Sequence, residues 1–252
     1  MRRSRYFGPP SRSWGMTDLP VRYLGLLCAD LCNMNYLESE PILRHPNWDW
    51  SEDLERRYAL RADGTDYPTM AFTMVGINRL SQTADCALDV TNVPGSFVDI
   101  GIWRGGTTAI MAAVAGMNDP PRRVFGIDTF EGFPEGSEHA EWNEWLAVPR
   151  EQVQKMLYRY SLSRHVTLWT PDEIALDGEV ALLRIDVDEY EPTLGYLNRF
   201  IPLMAKGGIV IMDDYGNPAL EGVEQAVRDH YGDRFDGLEI HQDVPGAAWW
   251  TV

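Results

Sequence analysis

One stretch of sequence decides the fold: FVDIGIWRGGTT, residues 97–108. Its apolar start ends in an acid, Asp99, and Gly101 follows, which predicts a buried strand that runs into a tight turn. Gly105 and Gly106 then open a helical pattern, where they would expose backbone amides to a ligand. A simple strand-to-helix connection fits the same residues. The spacing is not G-x-G-x-x-G, which weakens a dinucleotide-binding interpretation.

Downstream of this stretch, short apolar runs alternate with helical patterns, which implies a parallel sheet with helices on both faces. The predicted strands are Ser96–Ile100, Arg123–Ile127, Val166–Trp169, Val180–Ile185 and Gly208–Met212. The predicted helices are Thr107–Ala115, Val148–Tyr160, Thr193–Ile201 and Leu220–Tyr231. Leu238–Gln242 and Ala247–Val252 are separated by a short Pro- and Gly-containing link, which predicts an antiparallel hairpin at one edge. The fold class is therefore α/β, with a doubly wound sheet of seven strands.

The first third of the chain lacks this alternation of strand and helix patterns. Residues 1–16 are basic and rich in Ser and Pro, and we expect them to form a loose tail. Residues 17–84 contain candidate helices at Val21–Cys32 and Thr69–Leu80. They predict a helical cap, or lid, that folds over the site of a sheet domain at 85–252; packing against the outer face of the sheet is the alternative. Neither a signal peptide nor an apolar run of transmembrane length is found, so we expect a cytoplasmic protein.

The charge balance argues against two classes of partner. The chain has 22 basic and 38 acidic residues, a formal net charge of -16. Nucleic acids and anionic membranes require a basic face, so neither is expected to bind. Three cysteines are too few for a secreted disulfide framework. Cys28 and Cys32 lie four residues apart in an apolar helical pattern, which favours core packing over half of a metal site.

Acidic residues follow the predicted strands, at the sheet edge where doubly wound folds bind ligands. Asp128 follows the second strand, where an acid typically accepts hydrogen bonds from ribose hydroxyls, although a helix N-cap is also compatible. Asp186 closes the fourth strand, and Asp213 and Asp214 close the fifth. Three carboxylates at such a short distance from one another favour a cation between them. Oxygen ligands favour Mg²⁺ or a similar hard ion. Separate solvated or helix-capping acids are the alternative.

Together these motifs resemble the macrocin O-methyltransferase family, the metal-dependent sugar O-methyltransferases of macrolide and aminocoumarin biosynthesis. The resemblance runs from about Leu24 to the C-terminus. It is carried by five segments in chain order: DYPTMAFTMVGINRL at 66–80, VPGSFVDIGIWRGG at 93–106, DTFEG at 128–132, DVDEYE at 186–191 and DDYG at 213–216.

The resemblance implies a class I, Rossmann-like methyltransferase that transfers a methyl group from S-adenosyl-L-methionine (SAM) with the help of Mg²⁺. The acceptor it implies is a sugar hydroxyl of a natural-product glycoside or a nucleotide sugar, and we expect a homo-oligomer. The implied cofactor-binding residues are Thr73, Met74, Asp99, Gly101, Ile102, Trp103, Arg104, Gly105, Asp128, Thr129, Phe130, Glu131 and Gly132. The implied metal ligands are Asp186, Asp213 and Asp214. Asp188 is the implied general base and acts in catalysis beside Asp186.

The chain departs from the family pattern at three places. Val187 stands where the family usually has glycine, and Phe72 stands where a histidine is expected. A short LWTP segment at 168–171 replaces a Gly-Trp-Phe segment, so adenine-side contacts are not carried over there.

Two other functions are compatible with the same motifs. Trp142, Trp145 and Trp169 could stack on a phenolic or catechol acceptor, with the same cofactor and metal. A SAM-binding protein without turnover is the second alternative. The presence of all four aspartates, Asp186, Asp188, Asp213 and Asp214, counts against a protein without turnover.

Overall fold

Seven strands form one sheet in the computed structural model, which describes residues 19–44, 49–137 and 139–252. They are β1 (Ser96–Ile100), β2 (Val124–Ile127), β3 (Val166–Trp169), β4 (Val180–Ile185), β5 (Met204–Asp213), β6 (His241–Val244) and β7 (Ala247–Thr251). Their order across the sheet is β3-β2-β1-β4-β5-β7-β6. The first five pair in parallel, and β7 is antiparallel to both of its neighbours. The predicted doubly wound sheet and its terminal hairpin are confirmed.

Helices cover the sheet and precede it. They are α1 (Leu19–Leu31), α2 (Leu54–Asp63), α3 (Gly76–Asp89), α4 (Gly106–Ala115), α5 (Asn143–Leu146), α6 (Arg150–Arg159), α7 (Tyr190–Phe200) and α8 (Glu221–Tyr231). The tail predicted at 1–16 lies outside the described residues. No helix in the described ranges is long and apolar enough to cross a membrane.

The sequence prediction is wrong in two parts of the cap. The helix expected at Thr69–Leu80 begins only at Gly76, because the amides of Thr69 and Met70 donate to the carboxylate of Glu40 instead of continuing a helix. Helix α2 was not predicted, since half of its ten residues are charged. Its only early signal is Asp53, whose side chain caps the helix by accepting from the amide of Arg56.

Alternate residues of the central strands enter two apolar cores. On one face, Phe97 packs with residues of α1, α3 and α4, so the cap helices belong to the layer that covers this face. On the other face, Val98 packs with residues of α7 and α8. The expected cap boundary at residue 84 falls inside α3, which continues to Asp89.

A buried ion pair joins the centre of the sheet to helix α4. Arg184 of β4 is 1% exposed and donates to Asp99 of β1, which is itself fully buried. The Asp99 carboxylate also accepts from the hydroxyls of Thr107 and Thr108 at 2.8 and 2.7 Å. A buried charge is tolerated only when it is paired and hydrogen-bonded. The network therefore fixes how β1, β4 and α4 sit together.

We expect Arg184→Met to lower the free energy of unfolding by about 3–5 kcal/mol, because it leaves a buried carboxylate without its cationic partner. The matched control is Arg228→Met, because the exposed ion pair between Arg228 and Glu224 should contribute only about 0.3–0.5 kcal/mol. Urea unfolding followed by circular dichroism measures both. Equal losses in the two variants would contradict this role of Arg184.

Candidate active site

A cavity of about 660 Å³ lies at the carboxyl ends of the parallel strands. Its walls come from the strand ends, from the cap and from the segment between β2 and α6. The cap contributes Gly64, Thr65, Asp66, Met74, Val75 and Arg79. The sheet end contributes Ile100, Gly101, Ile127, Asp128, Asp186, Asp188, Asp213 and Asp214, among others. This is the edge at which ligands bind in open α/β sheets.

Six of the predicted cofactor-binding residues line this cavity: Met74, Gly101, Trp103, Asp128, Thr129 and Gly132. Seven do not line it: Thr73, Asp99, Ile102, Arg104, Gly105, Phe130 and Glu131. Asp99 belongs to the buried network of Arg184 instead. Arg104 donates to the carbonyls of Pro68, Thr69 and Ala71, so its guanidinium holds a cap loop in place.

The glycines after β1 serve chain packing. Gly101 has a φ of 78°, and a Cβ there would lie 1.6 Å from the carbonyl oxygen of Asp186. The amide of Gly105 donates to Ile102, and that of Gly106 donates to the carbonyl of Phe72 at 2.8 Å. The expectation that these two amides are exposed to a ligand is therefore wrong, because the cap covers the start of α4.

Asp128 follows β2 and lines the cavity. Its two carboxylate oxygens accept one backbone N–H each, from Trp103 and from Phe130, both at 2.9 Å. A carboxylate oxygen has two lone-pair directions, so each retains capacity for a ligand hydroxyl. Burial raises the pKa of Asp128, and the backbone N–H groups of Phe130, Trp103 and Ile102 oppose that shift. Both donor residues have positive φ, 47° and 61°, a strained backbone that is frequent at functional sites.

Three carboxylates converge at the ends of β4 and β5. Asp186, Asp188 and Asp214 each offer an oxygen atom, and these atoms all lie within 4.8 Å of one another. Burial and the charges of Asp186 and Asp214 raise the pKa of Asp188 well above its usual range. Asp188 and Asp214 also have positive φ, 62° and 55°. The left-handed conformation falls on Asp188 rather than on Val187, so valine is tolerated where the family has glycine.

Asp213 is turned towards two arginines. Its Oδ2 lies 2.7 Å from Arg79 of α3 and 3.4 Å from Arg184 of β4. The three acids that converge in the structure therefore include Asp188, whereas Asp213 was predicted as the third member of the group. Both of these ion pairs use Oδ2 and leave Oδ1 outside them. Asp213 does not belong to the group of acids whose oxygen atoms all lie within 4.8 Å of one another.

The sequence analysis missed both arginines. Arg184 had a signal, since it interrupts the apolar strand VALLRI and a buried charge must find a partner. Arg79 had none, because its partner lies 134 residues away in the sequence. Within the described ranges, Asp186, Asp213 and Asp214 form ion pairs with these two guanidinium groups. Asp188 adds a fourth carboxylate to the group, which leaves a formal excess of negative charge. A buried excess of this sign fits a divalent cation.

Aromatic side chains form another part of the wall. Phe133 and Trp142 line the cavity, and the ring of Trp142 stacks on His139 at 4.1 Å between centroids. Asn143 holds the backbone of Phe133 by one donated and one accepted hydrogen bond. The other two tryptophans considered for acceptor stacking do not line the cavity. Trp145 packs edge-on to Tyr67, and Trp169 stacks on Phe125.

Comparisons with known proteins agree with this architecture. The family model described as macrocin-O-methyltransferase (TylF) matches residues 29–250. The chain is 37% identical to the 8-demethyl-8-(2,3-dimethoxy-alpha-L-rhamnosyl)-tetracenomycin-C 4'-O-methyltransferase of Streptomyces olivaceus, over 83% of this chain and 84% of that protein. It is 35% identical to the demethyldecarbamoylnovobiocin O-methyltransferase of Streptomyces niveus, over 78% and 82% respectively.

The structure of the O-methyltransferase NovP superposes on this chain with a TM-score of 0.79 at 30% identity, and the match covers 92% of this chain and 98% of that one. The sheet is thus that of a class I SAM-dependent methyltransferase. With the family match spanning both the cap and the whole sheet, the chain belongs to the macrocin O-methyltransferase family.

Proposed function

We propose that this protein methylates a sugar hydroxyl of a natural-product glycoside or nucleotide sugar, with SAM as donor and Mg²⁺ or a similar hard divalent cation. The observation that carries the proposal is the group of buried carboxylates in the same cavity as Asp128. The named relatives act on tetracenomycin-type and novobiocin-type antibiotics, which supports a natural-product acceptor.

SAM would lie along the ends of β1 and β2. Asp128 would accept hydrogen bonds from the ribose hydroxyls through the lone pairs that its backbone donors leave available. Met74, Gly101 and Trp103 line the adjacent wall, where the methionine part would bind. At about 660 Å³ the cavity is within the usual range for ligand pockets.

The divalent cation would be held by Asp186, Asp214 and the Oδ1 atom of Asp213. When bound, such an ion stabilises negative charge that develops on a hydroxyl oxygen. Asp188 would accept the hydroxyl proton at its carboxylate, since it lines the cavity within the same group of acids. Cap residues and the aromatic wall would exclude water and hold the acceptor in line with the methyl group.

A phenolic or catechol acceptor is the second candidate. One observation favours it, the position of Trp142 on the cavity wall. Competition between a sugar and a catechol acceptor for labelled SAM distinguishes the two.

We also propose that the enzyme is a cytoplasmic homo-oligomer. Leu19, Tyr23 and Leu26 are exposed at 57%, 43% and 70% and share one side of α1, which favours self-association. The low cysteine count and the acidic charge favour a cytoplasmic location without a nucleic-acid or membrane partner.

Asp128→Asn should weaken SAM binding about tenfold or more, because a hydrogen bond to a charged group contributes about 1.5–3 kcal/mol. The exposed Asp177 supplies the matched control, Asp177→Asn, which should leave SAM affinity unchanged. Isothermal titration calorimetry with SAM measures both. Wild-type affinity in Asp128→Asn would refute the ribose assignment.

The four cluster acids should divide into two groups when each is changed to Asn. Asp186→Asn, Asp213→Asn and Asp214→Asn should lose most Mg²⁺ affinity in calorimetric titrations. Asp188→Asn should keep its Mg²⁺ and SAM affinity and lose turnover by about 10²–10⁴-fold, as expected for a general base.

Two outcomes contradict this division. Full activity after exhaustive chelation excludes the metal from the mechanism. If Asp188→Asn loses Mg²⁺ binding and Asp213→Asn keeps it, the ligands are the trio that the structure brings together, and the base is wrongly assigned.

The cap segment 64–75 should become more protected from hydrogen exchange when SAM, Mg²⁺ and acceptor are added, because Gly64, Asp66, Met74 and Val75 line the cavity. Helix α8 is the internal reference, since none of its residues lines the cavity. If the protection of segment 64–75 rises no more than the protection of α8, the cap does not close over the site as a lid.

A further inference from the structure

We infer that Asn143 is a positioning residue for the methyl donor, although it lies outside the described lining of the cavity. Its side chain fixes the turn at residues 128–133, and this turn sets the direction in which Asp128 presents its carboxylate to a ribose. The inference rests on the ribose contact proposed for Asp128. It adds a residue that acts on that contact without touching the cofactor.

Asn143, the first residue of α5, pairs with the backbone of Phe133. Its Oδ1 accepts from the amide of Phe133 at 2.6 Å, and its Nδ2 donates to the carbonyl of the same residue at 2.7 Å. Gly132 makes this close approach possible, because a Cβ there would lie 2.2 Å from Oδ1 of Asn143. Asn143 therefore holds two consecutive residues of the cavity wall, Gly132 and Phe133.

Hydrogen bonds within the turn connect Gly132 with Asp128. The hydroxyl of Thr129 donates to the carbonyl of Gly132 at 2.6 Å. Oδ1 of Asp128 accepts from the amide of Phe130 at 2.9 Å, and Phe130 has a φ of 61°. A residue keeps such a strained conformation only when the surrounding structure determines it. The turn is held at one end by Asp128 and at the other by Asn143.

Helix α5 also holds the second donor to Asp128. The carbonyl of Trp145, two residues after Asn143, accepts from the indole Nε1 of Trp103 at 3.2 Å. The backbone amide of Trp103, whose φ is 47°, donates to Oδ2 of Asp128 at 2.9 Å. The same carbonyl of Trp145 accepts from the hydroxyl of Tyr67 in the cap at 3.0 Å. Helix α5 thus acts on both oxygens of Asp128, on Oδ1 through the turn and on Oδ2 through Trp103.

This arrangement predicts an effect that is confined to the ribose. Hydrogen bonds weaken steeply when donor and acceptor are misaligned, so a carboxylate on a loosened turn loses its bonds to the ribose hydroxyls. Contacts to the adenine and to the methionine part do not pass through Asp128 and should remain. A general loss of packing would instead weaken the binding of the whole cofactor.

The test uses S-adenosylhomocysteine and its 2'-deoxy and 3'-deoxy analogues, titrated by calorimetry. We expect the wild-type protein to bind S-adenosylhomocysteine about tenfold more tightly than the weaker analogue, because that analogue lacks a hydrogen bond to a charged group. In Asn143→Ala this ratio should fall to about twofold or less, with the affinity of the weaker analogue unchanged.

Asn118→Ala is the matched control. The side chain of Asn118 also donates to backbone carbonyls, those of Val114 and Ala115, but it lies at the end of α4 and outside the described cavity lining. This variant should keep the wild-type ratio.

The outcomes separate this inference from the ribose contact on which it rests. A wild-type ratio in Asn143→Ala, whether or not the overall affinity falls, overturns the inference and leaves the ribose contact of Asp128 intact. Equal binding of S-adenosylhomocysteine and both analogues by the wild-type protein overturns the ribose contact, and the inference with it.

A milder variant decides the question if Asn143→Ala does not fold. Asn143→Asp keeps an oxygen that accepts from the amide of Phe133 and loses the donor to its carbonyl, so its ratio should lie between those of the wild type and a protein without the ribose bonds. In a double-mutant cycle, adding Asn143→Asp to Asp128→Asn should cause no further loss of affinity for S-adenosylhomocysteine, because both changes act through the same contact. A wild-type ratio in Asn143→Asp, or additive losses in the cycle, overturns the inference.

Discussion

Arg184 is the charge on which the geometry of the site depends. A guanidinium buried near the carboxyl end of β4 is stable only if anions surround it. Its partners are Asp99 on β1, Asp186 just beyond β4 and Asp213 at the end of β5. One side chain thus ties together the ends of three neighbouring strands, which are the strands that border the cavity. The acids remain close together, despite their repulsion, because this cation lies beneath them.

Contacts from the cap also fix the geometry of the site. Arg79 of α3 pairs with the same carboxylate oxygen of Asp213 that Arg184 contacts. Arg104 holds the cap loop, and the carbonyl of Phe72 covers the start of α4. With these anchors in place, the chain can keep Asp188 and Asp214 in left-handed conformations, which typically cost of order 1–3 kcal/mol each. The site is therefore assembled from cap and sheet together, which explains why a cap helix contributes an ion pair to the acid cluster.

Sequence patterns predicted the sheet well because strand alternation and strand-end acids are local signals. All seven strands, the hairpin and the position of Asp128 in the cavity could be predicted from short segments. The roles of Asp99 and Arg104 could not, because their partners lie in the core and in the cap loop, far from them in sequence. The same holds for Asp213, whose orientation is set by Arg79 across the molecule. The start of α3 was misplaced because the Glu40 carboxylate, more than twenty residues earlier, competes for the amides of a helix-like sequence.

The central claim is that the buried acids hold a divalent cation beside the methyl donor. The most direct measurement is anomalous diffraction from crystals grown with Mn²⁺, S-adenosylhomocysteine and an aryl glycoside. We expect one anomalous peak within coordination distance of Asp186, Asp214 and Oδ1 of Asp213, with Asp188 facing the acceptor hydroxyl. An acid cluster without a peak, in crystals that contain the bound cofactor product and the glycoside, would contradict it.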